Sequence, residues 1–309
     1  MTSAPLVPAP VTVRVPAKVN LELLVGPRRD DGYHHLATVF HAVSLYDDVT
    51  VSVADAFGVT VSGPLAAGVP LDGENIVLKA ARLVDARFDV EPVHVDIRKG
   101  IPVAGGMAGG SADAAGTLVA LDHLFDLGLD REELEELGAD LGSDVPFLVA
   151  GGTAVGSGRG ELLAPVLARG TYHWVFALGE DGLSTPEVYA ECDRLRGDED
   201  VPEPVANPAL MAALRSGDPH ELAPQLANDL QDAAISLRPA LGEVLAAGME
   251  FGALGGIVSG SGPTIAFLVE DSESGIDLAV ALTASGAVRD VRRASGPVHG
   301  AHVLQRRVD

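Results

Sequence analysis

Hydrophobic residues recur along the chain in two periods, and the shorter period predicts strands. The segments 11–25 and 38–53 are rich in β-branched residues with partial alternation, which is typical of strands joined by turns. The segment 93–99 alternates between apolar and polar side chains and predicts a further strand. The N-terminal part of the chain is therefore expected to begin as a sheet.

The longer period predicts helices between and after these strands. Asn75 can cap a helix over residues 76–88 through its side-chain oxygen, since apolar residues recur after it on one helical face. A further helix is predicted at 111–125, and another from its N-cap Asp130 to about residue 141. Helices inserted between clustered strands are typical of an α+β fold.

The second half of the chain repeats this alternation after a turn-rich segment at 156–160. A strand at 172–178 opens it, and a strand, a glycine turn and a strand close it at 255–269. Helices are predicted between them at 186–195, 207–214, 229–236 and 239–247. Because 309 residues are long for one hydrophobic core, we predict two domains, at 1–168 and 169–309.

Composition and charge narrow the classes of function. Hydrophobic residues make up 47% of the chain and charged residues 21%, as in a globular protein and unlike a disordered one. A net charge of −23 argues against nucleic acid as a partner, because such binding requires a cationic face. An anionic ligand must then be held by local donors such as backbone amides, a helix N-terminus or the cations Lys18, Arg98 and Lys99.

The sequence also predicts where the protein resides. No apolar run reaches the length of a membrane span, and the first residues lack the pattern of a secretory signal. We therefore expect a cytoplasmic protein that binds no membrane. Cys192 is the one cysteine, which excludes an internal disulfide and a cysteine-rich zinc site. The pattern carries no signal for a particular oligomeric state.

The most informative segment is the glycine-dense stretch PVAGGMAGGSADAA at 102–115, between a predicted strand and a predicted helix. Glycine lets the backbone approach a ligand closely, and a helix N-terminus offers unpaired N–H groups and partial positive charge. The segment therefore predicts a phosphate cradle. A Walker loop is excluded because no lysine separates Gly110 from Ser111, and the register does not fit a GxGxxG dinucleotide fingerprint. A flexible surface loop is the alternative that a glycine cluster leaves open.

Three further clusters combine polar residues with turns. The segment 16–20, PAKVN, places a lysine and an amide within a predicted strand. The segment 31–34, DGYH, places an aromatic ring and an imidazole beside a turn, and the segment 141–146, LGSDVP, places an acid at a helix start. Taken alone, Asp144 could be a helix N-cap and Lys18 an exposed strand cation.

The order of these motifs resembles that of the GHMP family of small-molecule kinases. The motifs are PAKxN, DGYH, PxxGGxxGGS, LGxDVP and the late GSGPT at 260–264. The resemblance covers nearly the whole chain. It implies a two-domain α+β fold with an N-terminal ATP-binding domain, a C-terminal substrate domain and the active site in the cleft between them. PAKxN with DGYH resembles the branch of the family that uses ATP to phosphorylate a cytidine-diphosphate-linked sugar alcohol in the non-mevalonate route to isoprenoid precursors.

The resemblance implies roles for residues at the site of phosphoryl transfer. Asp144 is the expected catalytic base, which takes the proton of the acceptor hydroxyl. Lys18 is its expected catalytic partner, since a nearby ammonium holds a carboxylate ionised and neutralises developing charge. Asn20 and Thr185 match polar positions around the sugar alcohol of the substrate.

The resemblance also implies a cytidine site. Tyr33 is expected to stack on the base and His34 to read its edge, while Tyr189 closes the base from the other side. Taken alone, Tyr189 could equally be a residue of a helix core. The expected partners of the protein are thus two small molecules, the cytidylated substrate and ATP.

On the nucleotide side, the resemblance implies that the amides of 105–111 wrap the phosphates of ATP. The Ser111 hydroxyl is expected near the β-phosphate or the Mg²⁺ that accompanies ATP, and Asn75, Lys99 and Asp113 near the adenosine. The implied ATP-binding residues are Pro102, Val103, Ala104, Gly105, Gly106, Met107, Ala108, Gly109, Gly110, Ser111, Ala112, Asp113, Asn75 and Lys99. The family loop usually reads GGGLGGGSSNAA, and this chain departs from it at Ala104, Met107, Ala108, Ala112 and Asp113. One serine hydroxyl is lost and a carboxylate is gained.

Two other functions share part of this pattern. A homoserine, mevalonate or sugar kinase of the same family would share the glycine loop and the base, but DGYH argues against it. A non-catalytic nucleotide-binding or RNA-binding module would belong to another class, since a fold does not fix a function. The acidic balance and the presence of both Lys18 and Asp144 argue against that module.

Overall fold

The structure is a computed structural model and describes residues 8–103, 105–179, 182–288 and 290–305. Ala104, one of the expected ATP-binding residues, lies outside the described residues. The strands are β1 (Val11–Arg28), β2 (His34–Val53), β3 (Gly58–Ser62), β4 (Val93–Arg98), β5 (Thr153–Ser157), β6 (Leu162–Pro165), β7 (Tyr172–Leu178), β8 (Ala227–Asn228), β9 (Gly255–Val258), β10 (Ile265–Val269), β11 (Asp290–Gly296) and β12 (His302–Val303).

The described helices fall mostly between these strands. They are α1 (Ile76–Phe88), α2 (Gly109–Phe125), α3 (Arg131–Leu141), α4 (Val145–Ala150), α5 (Thr185–Arg196), α6 (Pro208–Ser216), α7 (Pro219–Leu222), α8 (Gln231–Leu237), α9 (Ala240–Glu250) and α10 (Ser272–Ala284). Within the ranges given above, no helix has both the length and the apolar composition needed to cross a bilayer.

The larger sheet has eight strands and is built on a long antiparallel hairpin of β1 and β2. β4 pairs with β2 and carries β3 at its far edge, while β5 pairs with both β2 and β6. β8 and β12 pair with β1, so the second half of the chain also contributes to this sheet. α2 packs against β1 and β2, which places the end of the glycine loop beside the hairpin.

Register shifts in the hairpin flank the segment that carries PAKVN. The pairing of β1 with β2 shifts between Pro16 and Ala17 and again between Asn20 and Glu22. A shift of this kind bends a strand and re-aims its side chains. Between the two shifts, Lys18 and Asn20 are two positions apart and therefore share one face of the strand, and both are buried.

The smaller sheet has four antiparallel strands in the order β11, β7, β10, β9. Alternate residues of β7 face different cores, as the pleat of a strand requires. Trp174 and Phe176 join the apolar core shared with the larger sheet, whereas Val175 and Ala177 join the core packed with α5, α8, α9 and α10. The predicted domain boundary at 168/169 falls between β6 and β7 and stays a prediction.

The structure confirms the α+β class and most of the predicted elements. Asn75 caps α1, since its Oδ1 accepts the N–H of Val77 at 3.0 Å. Asp130 caps α3 in a reciprocal capping box with Glu133, and β7 covers the predicted range. α2 begins at Gly109, earlier than predicted, so that the last glycines of the loop form its first turn.

Candidate active site

A cavity of about 980 Å³ is lined by residues of β1, β2, α2 and α5 and of the turn between β9 and β10, and each of the five motifs contributes residues to its wall. The expected site residues that line it are Lys18, Asn20, Tyr33, His34, Asn75, Lys99, Val103, Gly105, Gly106, Ala108, Gly109, Gly110, Ser111, Asp113, Asp144, Thr185 and Tyr189. Pro102, Met107 and Ala112 are buried and support the loop from behind this wall. Arg98, considered as a cation for an anionic ligand, is exposed on β4 and is absent from the described wall.

The glycine loop is held in place by its main chain. Ser259 donates its hydroxyl to the carbonyl of Gly106 at 3.0 Å, and the N–H of Lys18 donates to the carbonyl of Met107 at 3.4 Å. Gly106 has φ 72° and Ala108 has φ 60°, so the backbone is left-handed at both positions. A left-handed alanine is uncommon and costs of order 1–3 kcal/mol, which the surrounding contacts must offset. These contacts join the described residues of the loop to β1 and to the segment that follows β9.

The loop ends as the N-terminus of α2. Ala108 occupies the N-cap position and has no side chain that could cap the first turn. The first intrahelical bond runs from the N–H of Ala112 to the carbonyl of Ala108 at 2.8 Å. The N–H groups that precede it in the first turn have no helical acceptor, and Gly110 and Ser111 line the cavity. This end of α2 can bind an anion such as a phosphate.

Asp144 lines the cavity at the N-cap position of α4, yet its carboxylate makes no capping hydrogen bond. Its Oδ2 lies 3.5 Å from the Nζ of Lys18, and about a third of its side chain, 30%, is exposed. The alternative of a purely structural cap therefore does not describe this side chain. An acid that is open to the cavity and faces an ammonium can accept a proton from a bound hydroxyl.

Lys18 is buried, with 4% of the residue exposed, so it is not the surface cation that a strand position alone would suggest. Its Nζ donates to the Oδ1 of Asn20 at 2.6 Å. Asn20 in turn donates to Thr38, and Thr38 donates to the carbonyl of Glu22, at 2.8 and 2.7 Å. These bonds fix the position of the ammonium. Among the described residues, the carboxylate that pairs with this ammonium is that of Asp144.

Aromatic residues gather at one end of the cavity wall. Tyr33 is 55% exposed and its ring lies under the guanidinium of Arg159, 5.2 Å from the ring centroid. The rings of His34 and Tyr189 are stacked with centroids 5.2 Å apart. The Nε2 of His34 lies 2.9 Å from the Oδ1 of Asp193 on α5. This end offers flat apolar faces and an oriented imidazole, which suit a heteroaromatic base.

Thr185 connects this end of the cavity to the late GSGPT motif. Its hydroxyl lies 2.9 Å from that of Ser261, and both residues line the cavity. Ser259 of the same connection holds the glycine loop through Gly106. The turn between β9 and β10 thus contacts both the glycine loop and the start of α5.

Lys99 and Asp113 line the cavity but are engaged with each other. The Nζ of Lys99 donates to the Oδ2 of Asp113 at 2.8 Å and to the Oδ2 of Asp47 at 2.5 Å. Burial alone would lower the pKa of Lys99, but the charges of Asp113 and Asp47 outweigh it and raise that pKa. Burial raises the pKa of Asp113 to about 8, and the attraction of Lys99 only partly opposes this because Asp47 adds repulsion. The carboxylate that departs from the usual family loop thus shares one ammonium with a second acid.

The raised pKa of Asp113 predicts a pH-dependent stability. The folded state holds this proton up to about pH 8, whereas a free aspartate with pKa 3.8 has lost it. Stability from this group is therefore complete below about pH 4 and declines as the pH rises to 8. Asp113→Asn, which stays neutral, is expected to be more stable than wild type at pH 8 by about 1–3 kcal/mol, with little difference at pH 4.

Thermal unfolding at pH 4, 6 and 8 measures this difference. Asp198→Asn is the matched control, since Asp198 is exposed in the loop after α5 and should show no such trend. A Tm of Asp113→Asn below that of wild type at pH 8 would contradict the prediction.

Three charged residues that lie outside the motifs contact the site residues described above. Asp193 lies one helical turn after Tyr189 on α5, so the i, i+4 spacing could have suggested it. Asp47 and Arg159 carry no such signal, because the residues they contact come from other elements. Arg159 belongs to the turn between β5 and β6, and Asp47 lies on β2.

Family models of two kinds match the chain. The model for the GHMP kinases N terminal domain matches residues 75–152, and the model for GHMP kinases C terminal matches residues 210–288. The first match contains the glycine loop and Asp144, and the second contains the turn between β9 and β10.

Curated relatives match almost the whole chain. A 4-diphosphocytidyl-2-C-methyl-D-erythritol kinase of Nocardia farcinica is 57% identical over 300 residues, which cover 97% of this chain and 98% of the relative. The protein of the same description from Streptomyces coelicolor is 57% identical, with 95% of this chain and 99% of the relative covered.

Solved structures share the fold. The crystal structure of a 4-(cytidine 5'-diphospho)-2C-methyl-D-erythritol kinase is similar with a TM-score of 0.74 and 34% identity, covering 92% of this chain and 98% of that one. The crystal structure of the L. major mevalonate kinase has a TM-score of 0.75 but only 18% identity, with 93% and 96% covered. The second similarity supports the fold alone.

Proposed function

The chain belongs to the GHMP kinase family, and from this premise we propose that it transfers the γ-phosphoryl group of ATP to the 2-hydroxyl of 4-diphosphocytidyl-2-C-methyl-D-erythritol. This is a phosphotransferase step of the non-mevalonate route to isoprenoid precursors. The observation that carries the proposal is one cavity in which an open carboxylate at Asp144 faces Lys18, with a helix N-terminus and an aromatic end on its wall.

The proposed mechanism assigns the proton to Asp144. The acceptor hydroxyl attacks the γ-phosphorus of ATP and its proton passes to the carboxylate of Asp144. The bond between the γ-phosphorus and the bridging oxygen breaks, and ADP leaves with the electron pair. The Nζ of Lys18 lies 3.5 Å from the Oδ2 of Asp144, where its charge attracts the carboxylate and offsets negative charge as the new P–O bond forms.

ATP is proposed to lie with its phosphates at the N-terminus of α2, where the amides of the first turn and the Ser111 hydroxyl can donate to them. The Ser111 hydroxyl at this end would offer an oxygen ligand to Mg²⁺ that arrives with ATP, since Mg²⁺ keeps several waters and binds phosphates with few protein oxygens. The described residues contain no group of three or more His, Cys, Asp or Glu side chains arranged to hold a metal on their own. When bound, Mg²⁺ would neutralise charge on the phosphates.

We place this reaction in the cytoplasm with two small-molecule partners, ATP and the cytidylated substrate. The negative net charge supports the absence of nucleic acid among the partners, because no long-range attraction would draw a polyanion to the surface. Local donors in the cavity, such as the α2 terminus and Lys18, would hold both anionic ligands instead.

Phosphate transfer from γ-labelled ATP across a panel of alcohols tests the proposal directly. Wild type should label the cytidylated methylerythritol well above homoserine and mevalonate, the acceptors of other members of the family. Thermal unfolding with each acceptor gives an independent readout, because a ligand that binds only the folded state raises the apparent stability. A larger response to homoserine or mevalonate in both assays would reject the proposal.

Tyr33 provides a test of the cytidine site. Loss of its ring in Tyr33→Ala is expected to raise KM for the cytidylated substrate about tenfold, since stacking on one aromatic face contributes about 1–3 kcal/mol per base. KM for ATP should change by less than about twofold, because Tyr33 lies at the aromatic end of the cavity. Steady-state kinetics with each substrate varied in turn measure both values.

The matched control is Tyr46→Ala, which removes a tyrosine from the same strand pair, where it contacts Arg14. It should leave KM for the cytidylated substrate within about twofold of wild type. Equal increases in both KM values of Tyr33→Ala would show that the ring does not act through the base.

A further inference from the structure

Lys99, Asp47 and Asp113 form a buried cluster that joins two ends of the glycine loop. Lys99 immediately follows β4, and its Nζ donates to Asp113 and to the carbonyl of Gly109, at 2.8 and 3.2 Å. Both acceptors lie in the first turns of α2, where the loop ends. The ammonium therefore ties the start of α2 to the end of β4.

Asp47 connects the same ammonium to the beginning of the loop. Its Oδ2 accepts from Lys99, while its Oδ1 accepts the main-chain N–H groups of Gly100 and Ile101 at 2.7 and 3.0 Å. Gly100 also lies so close to β2 that a Cβ there would be 2.4 Å from the carbonyl oxygen of Tyr46. The chain that enters the loop is thus held against β2 by one carboxylate and a close backbone contact.

The burial of this cluster makes its bonds strong and specific. Asp47 is fully buried, Lys99 is 1% exposed and Asp113 is 3% exposed. Removing one partner of a buried charged group costs more than removing one at the surface. A change at Asp47 would therefore weaken the bonds that hold the main chain of residues 100–101 against β2. It would also weaken the bond to Lys99, which connects the entry of the loop to α2.

We propose that Asp47, Lys99 and Asp113 act as positioning residues for ATP. Asp47 fixes the main chain where the glycine loop begins, and it thereby orients the N–H groups of the loop toward the phosphates. The inference rests on the proposed function, since it takes the glycine loop as the phosphate site. Asp47 itself contacts neither ligand. It acts through the main chain of Gly100 and Ile101.

Asp47→Asn tests this role, because it keeps the shape of the side chain and removes its charge. KM for ATP is expected to rise at least about tenfold, while KM for the cytidylated substrate stays within about twofold. Hydrogen exchange in peptides that span 98–110 should become faster, with no change over 172–178 in the other sheet. Asp47→Glu, which keeps the charge but displaces the carboxylate, should shift KM for ATP in the same direction and serves if Asp47→Asn does not fold.

The matched control is Asp48→Asn. Asp48 is the next residue on β2, so its side chain lies on the opposite face of the strand, where it pairs with Arg14 at 2.8 Å at a partly exposed position. It should leave both KM values at the wild-type level. An unchanged KM for ATP in Asp47→Asn and Asp47→Glu, or equal increases in both KM values with a lower Tm, would overturn the inference.

The outcome is separable from a failure of the proposed function. Wild type that does not phosphorylate the cytidylated substrate would reject the function, whatever the variants do. Wild type that is active, together with Asp47 variants of normal KM for ATP and unchanged exchange over 98–110, would reject the positioning role alone.

Discussion

Replacing Asp144 with asparagine is expected to lower kcat about 10³-fold, because an amide cannot take the proton of the acceptor hydroxyl and general base catalysis contributes about 10²–10⁴-fold. Asparagine has nearly the same shape, and the carboxylate it replaces makes no capping hydrogen bond that α4 would lose. Binding of the cytidylated substrate should therefore stay within a few-fold of wild type. Single-turnover transfer and equilibrium titration of the substrate measure the two effects separately.

Asp218→Asn is the matched control for this variant. Asp218 is also an N-cap residue, but its Oδ1 accepts the N–H of His220 at 2.8 Å and it lies outside the cavity wall. Asparagine caps helices as well as aspartate does, so this change should preserve both kcat and stability. Retention of kcat within about threefold in Asp144→Asn would remove Asp144 from the proton transfer.

Replacing Gly106 with alanine is expected to lower kcat/KM for ATP about 10²-fold, because a displacement of about 1 Å in a positioning element can cost that much. A Cβ at this position would lie 1.9 Å from the carbonyl oxygen of Ser259, at a φ of 72° that alanine rarely adopts. That carbonyl cannot easily move, since it accepts the N–H of Gly262 at 2.8 Å. The loop must shift away from the turn between β9 and β10 and carry its amides with it.

Gly128→Ala is the matched control, because it introduces alanine at a positive φ without a steric clash of the added Cβ. Gly128 has a similar φ of 69°, but nothing lies within 4 Å of the added Cβ. This control should lose some stability and keep its kcat/KM for ATP. Titration with an unreactive ATP analogue shows whether Gly106→Ala has lost nucleotide affinity, and normal affinity with normal turnover would contradict the expected shift of the loop.

Elements with a long periodic pattern could be predicted from the sequence. The helix capped by Asn75, the helix capped by Asp130 and the strand at 172–178 each carry a local signal, and the structure confirms them. Short strands such as β8 and β12 carry no comparable signal, since each is only two residues long. They form because β1 offers a free edge to chain segments that are distant in sequence.

The site shows the same division. The family motifs indicated Lys18, Asp144 and the glycine loop as site residues, and the structure brings them to one cavity. The motifs did not predict that Lys99 is paired twice, because Asp47 comes from a different strand and has no motif of its own. The carboxylate gained at Asp113 likewise finds its partner only when α2 packs beside the end of β4.

The sequence by itself determined the α+β class, the glycine loop between strand and helix and the family, because periodicity, glycine content and motif order are properties of the linear chain. The tertiary structure decided which charges are neutralised and which remain open to ligands. Both Asp144 and Asp113 line the cavity near the start of a helix, but the Asp144 side chain is partly exposed, whereas Asp113 is buried and bonded to Lys99. The difference arises from burial and from the side chains that other elements bring within hydrogen-bond distance, and local sequence cannot specify either.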